Sequence, residues 1–288
     1  MKSLLVLLAT MVLVPMQGAL AQVAAIVEGV QMPAWIERDG RRLPLIPGME
    51  LRPGDQVVTG AGSRIMVKLA EGSLVRLGEN GKLAFTELSP TRQLFKAALN
   101  VLEGAFRFTT DVVAKTTRKR EVTIRAAQVT AGVRGTDFWG RARQGNEIVC
   151  LIDGEVEVTA AGEAPVTLRE PRQFYRRIDG KTQALGVVNE VQIDRWSAEV
   201  ELQTGKGIAR RGGRYSVLLA SAAEQSAASA IHDELENAGY AAELRSVKQG
   251  GKTLYTVSIR QLASRAEAEA LAKQLRGRYG IRSPKVSG

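Results

Sequence analysis

A single cysteine and a single histidine among 288 residues narrow the chemistry first. Cys150 has no partner for an intramolecular disulfide. It sits in the apolar, strand-like run EIVCLID and reads as a small buried hydrophobe. A thiol nucleophile needs a base beside it, and His232 belongs to a different part of the chain. No cluster of Cys and His exists, so zinc and copper centres of the usual composition are excluded, and neither a metal nor a cofactor is expected. Aromatics are sparse at 5%. After the first 22 residues no apolar run approaches the ~18 residues of a membrane-spanning helix.

The opening MKSLLVLLATMVLVPMQGALAQ has one lysine, an apolar run from Leu4 to Val14 and ALA at 19–21. That is the order of a secretory signal peptide. As a helix the run would reach only ~16 Å, against ~30 Å of hydrocarbon. Residues 1–21 are therefore expected to be removed, leaving an exported protein that begins at Gln22 without a transmembrane segment. No cysteine follows the cleavage site, so a lipid anchor is not indicated.

The net charge of +10 is the strongest compositional lean. Basic residues gather in KTTRKR (115–120), RAR (141–143), RQFYRR (172–177) and RR (210–211). Two readings stay open: a solvated surface, or attraction to an anionic partner, which outside the cytoplasm means an envelope polymer or anionic lipid.

Residues 22–187 alternate in short segments: DQVVTG, SRIMVKLA, SLVRLG, AFRFTT, EVTIRA, EIVCLI and EVEVTA. This is the pattern of half-buried strands. TRQLFKAALNVL (91–102) is the one stretch with a helix-like period. Acidic-Gly pairs at Glu71-Gly72, Glu103-Gly104 and Asp153-Gly154 supply the positive φ of a tight turn, and each is expected to start a new strand. An all-β domain follows, either a sandwich or a solenoid-like stack of β-turns.

VTAGVRGTDFWG (129–140) could be a phosphate loop, an active-site corner or a strand turn. A phosphate loop opens a helix, whereas more strand follows here. GDQVVTGAGSRIMVKLAEGSLVRLGENGKL, VLEGAFRF, VTAGVRGTDF and IDGEVEV, in that order, resemble the FecR-type periplasmic domain over most of 48–160. The resemblance makes Val133, Arg134, Gly135, Thr136 and Phe138 a structural strand–turn–strand motif. Gly132 and Gly135 would permit the bend, Thr136 and Asp137 would bond nearby backbone, Phe138 would re-enter the core, and Arg134 would either hold the turn by an ion pair or carbonyl contact or, as the alternative, meet a ligand. Members of this family are often regulators with a cytoplasmic helical domain. Only Met1, Lys2 and Ser3 precede the apolar run here, so a transmembrane sigma-factor regulator is disfavoured.

In 188–203, VNEVQIDRWSAEVELQ, the spacing is mainly helical and Trp196 is expected to pack on the β-domain. TGKGIARRGG (204–213) has the composition of a flexible linker.

Residues 214–288 contain a repeat. YSVLL at 215–219 returns as YTVSI at 255–259, with Ala230, Ile231 and Leu235 answered by Ala270, Leu271 and Leu275. Gly239 and Gly280 close the two helices, and Ser264 with Glu267 forms a capping box. Two strand–helix–strand units in series predict a small α+β domain, βαββαβ, with a four-stranded antiparallel sheet and two helices on one face. Val217, Leu219, Val257 and Ile259 then face the helices, while Ser216, Leu218 and Ala220, with Thr256, Ser258 and Arg260, project from the bare face. RNA-recognition sheets carry stacking aromatics at such positions; their absence, with export, argues against nucleic acid.

With its duplicated Tyr-x-Val and its C-terminal place, this segment resembles the SPOR (sporulation-related repeat) domain over nearly all of 214–288. The resemblance implies binding to peptidoglycan glycan strands stripped of stem peptides, a periplasmic, wall-associated location, and Ser216, Leu218, Thr256, Ser258 and Arg260 as candidate glycan contacts. Leu218, Ala220 and Ala222 stand where the family tends to have Gln, Gly and an aromatic. Arg260, Gln261 and Leu262 replace the second repeat's Gly-Pro-aromatic. One lost amide contact costs on the order of 1 kcal/mol. The expected organisation is a signal peptide at 1–21, a FecR-like domain at 22–187, a helix and linker at 188–213 and a SPOR-like domain at 214–288. The expected function is non-enzymatic: wall association through the SPOR-like domain, with the FecR-like domain binding protein or wall. The alternative is a sensory or scaffold protein with an envelope-protein partner, in which the SPOR-like fold no longer binds glycan.

Overall fold

The structure, a computed structural model, describes residues 23–91, 93–110, 119–133 and 135–288. The export segment expected over 1–21, Arg134, and most of the basic KTTRKR run lie outside the described residues.

The alternating segments form a two-layer β-sandwich. One sheet runs, in spatial order, through Ala25–Gln31, Arg64–Leu69, Leu74–Leu77, the second half of Leu94–Thr109, Asp137–Arg143, Asn146–Asp153 and Gln173–Ile178. The other runs through Arg41–Pro44, Ala34–Arg38, Gln56–Thr59, Lys82–Pro90, the first half of Leu94–Thr109, Lys119–Ala126, Val129–Val133, Val156–Ala160 and Val166–Leu168. Inward residues of both sheets, among them Val27, Ile36, Phe85, Phe95, Phe106, Phe108 and Phe138, make the shared core. Pairing between segments distant in sequence builds a sandwich rather than a solenoid-like stack: Lys119–Ala126 lies parallel to Leu94–Thr109 and Val129–Val133 reaches Val156–Ala160.

Two sequence expectations change here. The helix-like stretch 91–102 is strand from Leu94 onward, because Phe95, Ala97, Leu99 and Val101 alternate inward and the strand ladder on both sides satisfies the backbone. Glu103-Gly104 does not start a strand. It bends one 16-residue strand so that its two halves serve different sheets. Gly104 has φ +100° and a Cβ there would lie 2.7 Å from Gly81 Cα, so only glycine fits. The pairs at Gly72 and Gly154 do sit in turns between consecutive strands.

Helix α1 (Glu190–Ala198) is capped by Asn189, whose side chain accepts from the Gln192 amide at 2.8 Å. Its Trp196 stacks on buried Trp139, centroids 4.5 Å apart and 8° from parallel. Beyond it, Val200 is fully buried, Glu199 pairs with Arg141, and Glu201 meets Arg76 and Arg107 at 3.1 and 3.3 Å.

Residues 204–213, read from composition as a flexible linker, are instead an ordered connection. Ile208–Arg210 pairs antiparallel with Ala25–Gln31 of the sandwich, and Ala209 pairs with Leu262 of the C-terminal domain. The glycines shape the chain rather than loosening it. Gly205 and Gly207 both have positive φ, and the amides of Gly205, Gly207 and Ile208 converge on the Glu267 carboxylate at 2.7, 2.8 and 3.0 Å. Glu267 is 3% exposed, and its own amide donates to Ser264 Oγ at 3.2 Å. One acidic residue thus opens a helix and anchors the interdomain strand.

The C-terminal domain has helices α2 (Gln225–Asn237) and α3 (Arg265–Leu275) and an antiparallel sheet in the order Ala242–Gln249, Lys252–Leu262, Tyr215–Ala222, Lys285–Ser287. Val217, Leu219, Val257 and Ile259 are buried with Leu235, Leu271 and Leu275. The domain meets the sandwich through its helix side. Trp35 Nε1 donates to Asn237 O at 3.3 Å, and the Ala34 amide donates to Gly239 O at 3.0 Å. Gly239 has φ +81°, and a Cβ there would lie 2.5 Å from the Trp35 ring. It closes α2 and also makes room for the neighbouring domain.

Candidate functional site

Strand alternation puts Ser216, Leu218, Thr256, Ser258 and Arg260 on the face opposite the helices. The first four are half-buried and Arg260 is exposed. Register aligns them in rows. Glu243 pairs with Ser258, Ser258 with Leu218, and Leu218 with Lys285; Arg245 pairs with Thr256, and Thr256 with Ser221. Ser216 lies opposite Ser287, with their hydroxyls 2.9 Å apart. The five predicted residues therefore share one surface, and no described helix covers it.

From the edge strand the sequence offers only Glu243, as a surface carboxylate for Arg260 to pair with, and the structure adds Arg245. Glu243 and Arg245 lie on this same face, and with Arg214, Tyr215, Ser216, Arg260 and Gln261 they line a shallow cleft of about 300 Å³. The signal was present: in AELRSVKQ the alternate positions Glu243 and Arg245 are charged, so their strand has one polar face. Arg245 holds the Glu243 carboxylate at 2.7 Å, and Arg260 lies farther from it, at 3.8 Å. All three side chains are about half exposed, so these contacts add little stability and Arg260 can turn to a ligand. With Arg214 and Lys285, basic groups outnumber the one carboxylate, giving an open surface suited to hydroxyl-rich, carboxylate-bearing chains.

The motif at 133–138 sits at the far end of the sandwich. Gly135 has φ +66°, and the Thr110 and Thr136 backbones bond at 3.0 Å. Thr136 is buried; its amide donates to Thr110 Oγ1 at 3.2 Å and its hydroxyl donates to Glu155 O. Phe138 is fully buried and packs edge-on to Phe106, centroids 5.9 Å apart. Asp137 departs from expectation. It takes two bonds from the Arg107 guanidinium, at 2.8 and 2.7 Å, because the antiparallel strand brings Arg107 beside it. Gly132 does not need to be glycine for the bend: its φ is ordinary and a Cβ would meet only Glu157 O at 3.9 Å. Val133 is half-buried against the core, at the end of its strand.

Cys150 is fully buried between its sheet and the α1 segment, in a cluster with Trp139, Ile193 and Val200, and burial pushes its thiol up to about 12. A neutral, enclosed thiol is no nucleophile. His232, Asp233 and Glu236 cluster on α2 with the imidazole 3.1 Å from Asp233 and 3.7 Å from Glu236, all on one helix surface. No helix among the described residues is long and apolar enough to cross a membrane.

Two family models match the chain. The one described as FecR protein covers residues 55–157, and the SPOR domain covers 212–284, in that order. Two crystal structures of a candidate anti-sigma factor from Parabacteroides distasonis are similar to 69% of this chain, over 98% and 96% of their own lengths. Their sequence identities are 13% and 15%, each with a TM-score of 0.41. No curated protein matches.

Proposed function

We propose, with a FecR-type segment and a SPOR domain in one chain as the premise, that this is an exported, non-enzymatic envelope protein docking on peptidoglycan through the bare sheet face of residues 214–288. SPOR domains bind peptidoglycan, FecR matches suggest a periplasmic regulatory or sensory module, and both are non-catalytic domain families. The observation that carries the reading is the open face itself. The C-terminal domain is joined to the sandwich on its helix side through Trp35 and Gly239, and at the end of its central strands through Ile208–Arg210, whose Ala209 pairs with Leu262, two residues beyond Arg260. A glycan strand along that face leaves the Trp35–Gly239 contact undisturbed and ends beside the interdomain strand. Arg260, freed from its long contact with Glu243, supplies donors to sugar hydroxyls or to a lactyl carboxylate. The FecR-like sandwich acts as the protein- or wall-binding module carried to the wall.

The test is pelleting of the mature protein with isolated sacculi, before and after enzymatic removal of stem peptides. Enrichment in the pellet that rises on stripping, and falls with Arg260→Ala, is the expected result. A bound fraction indifferent to both leaves the sandwich and an envelope-protein partner as the functional surface.

A further inference from the structure

A second cleft lies at the rim of the sandwich, outside the bare sheet face, and it contains a buried guanidinium whose hydrogen-bond donors are only partly met. Arg64 begins its strand with only 8% of its surface exposed. Among the described residues its guanidinium makes one bond, Nη1 to Gly62 O at a long 3.3 Å, and Nε has no partner. Burial pulls its pKa below the ordinary value, against the opposing fields of Glu79 and Glu199. A buried guanidinium with unmet donors is costly unless something supplies acceptors.

Arg64 lines a cleft of about 290 Å³ bounded by the Gly78–Asn80 turn, the bend at Glu103-Gly104, the end of the Asp137–Arg143 strand and Glu199 after α1. Its charges sort by whether they are already used. Arg141 pairs with Glu199, and Glu79 accepts from the Gly62 amide at 2.7 Å. Arg143 and Glu103, both exposed, form no ion pair among the described residues. Two guanidinia, Arg64 and Arg143, are thus available beside one free carboxylate, Glu103. Phosphate or sulfate would be drawn to the arginines but repelled by Glu103, Glu79 and Glu199 around them. A molecule carrying both signs meets each in turn. The volume is at the small end for ligand sites, so it suits a metabolite rather than a polymer segment.

We propose that this rim cleft binds a free amino acid, its carboxylate taken by Arg64 and Arg143 and its ammonium facing Glu103. The site joins the sandwich to the segment after α1, so occupancy would tighten the seam that Arg141 and Glu199 close. It does not depend on glycan binding by the opposite domain.

The experiment uses the mature full-length chain, with calorimetry and backbone-amide NMR shifts on adding L-alanine, D-alanine or L-glutamate, and with acetate, methylamine and phosphate as single-charge probes. At least one amino acid is expected to saturate, with shifts centred on residues 78–80 and 103–105, while acetate, methylamine and phosphate bind at least about tenfold more weakly. Arg143→Ala should weaken binding about tenfold, and Arg64→Met should abolish it. Should Arg64→Met fail to fold, Arg143→Ala and Glu103→Gln decide the matter alone. No saturation by any amino acid up to ~10 mM, acetate or phosphate binding as well as alanine, or saturation unchanged in Arg143→Ala and Glu103→Gln would each overturn the proposal. Sacculus pelleting is unaffected by any of these outcomes.

Discussion

The two domains start from the same kind of strand, with apolar and polar residues in alternation, and bury it differently. In the sandwich, two sheets close on each other and share Phe85, Phe95, Phe106, Phe108 and Phe138 between them. In the C-terminal domain, α2 and α3 cover one face through Leu235, Leu271 and Leu275, and the other stays open with Leu218 and Arg260 on it. A sheet covered by helices needs only one partner layer, so its second face is free to be a binding surface. The sandwich has its chemistry at the rim instead, where strands turn and Arg64 is caught between elements. The comparison teaches that the surface available for ligands is set by which layer a sheet is paired with, since the alternation is common to both.

The contrast breaks hardest at Phe138, which holds no exposed surface and touches Phe106 and Phe108. Phe138→Ala should cost about 4 kcal/mol by denaturant unfolding. A loss under about 1 kcal/mol would mean the sandwich is not closed there. Glu267→Ala comes next, because it leaves three amides of the interdomain strand without an acceptor. A cost of about 3 kcal/mol is expected, with trypsin then cutting first at Lys206, as the flexible linker expected from composition would have allowed from the start. Unchanged digestion in Glu267→Ala would show that strand pairing alone holds 208–210.

Two smaller measurements sharpen the comparison. The Cys150 thiol, raised to about 12 by burial, stays protonated at neutral pH. An aromatic disulfide reagent should therefore label it only after denaturation, and rapid labelling of the native protein would reveal that the α1 segment lifts from the sheet. Arg260→Ala on the open sheet should change stability by less than about 0.5 kcal/mol, while lowering the fraction pelleted with stripped sacculi.

The forty-residue echo of YSVLL in YTVSI made the C-terminal domain readable down to the face of most side chains, except that a bulge between Leu218 and Ala220 turns Ala220 to the side of buried Val257. Its contacts are repeats of one local unit, and alternation then assigns Val217 and Val257 inward. The sandwich was readable as strands but not as an arrangement. Nothing local in Lys119–Ala126 says that it lies parallel to Leu94–Thr109, and nothing in Glu103-Gly104 distinguishes a bend within a strand from a turn between two. Trp196 packing on the β-domain was legible because a lone aromatic in a polar helix must go somewhere apolar. Glu243 and Arg245 were legible in principle, from the parity of their strand, once its neighbour was known.

By itself, the sequence determined most strands and the three helices, though not the strand over Leu94–Thr109 or the one at Ile208–Arg210, together with the order of the two domains, the duplication in the second and which side of its sheet is polar. All of these follow from periodicities of two and 3.6 residues and from residue types that cap or turn the chain. Only the tertiary structure decided that Gly205 and Gly207 present amides to Glu267 instead of loosening a linker, that Asp137 meets Arg107, and that Arg64 is buried beside a cleft. Each of those depends on a partner tens of residues away. The energy of a buried charge or an unpaired amide is set by that distant partner, and the composition of the segment carrying it holds no record of it.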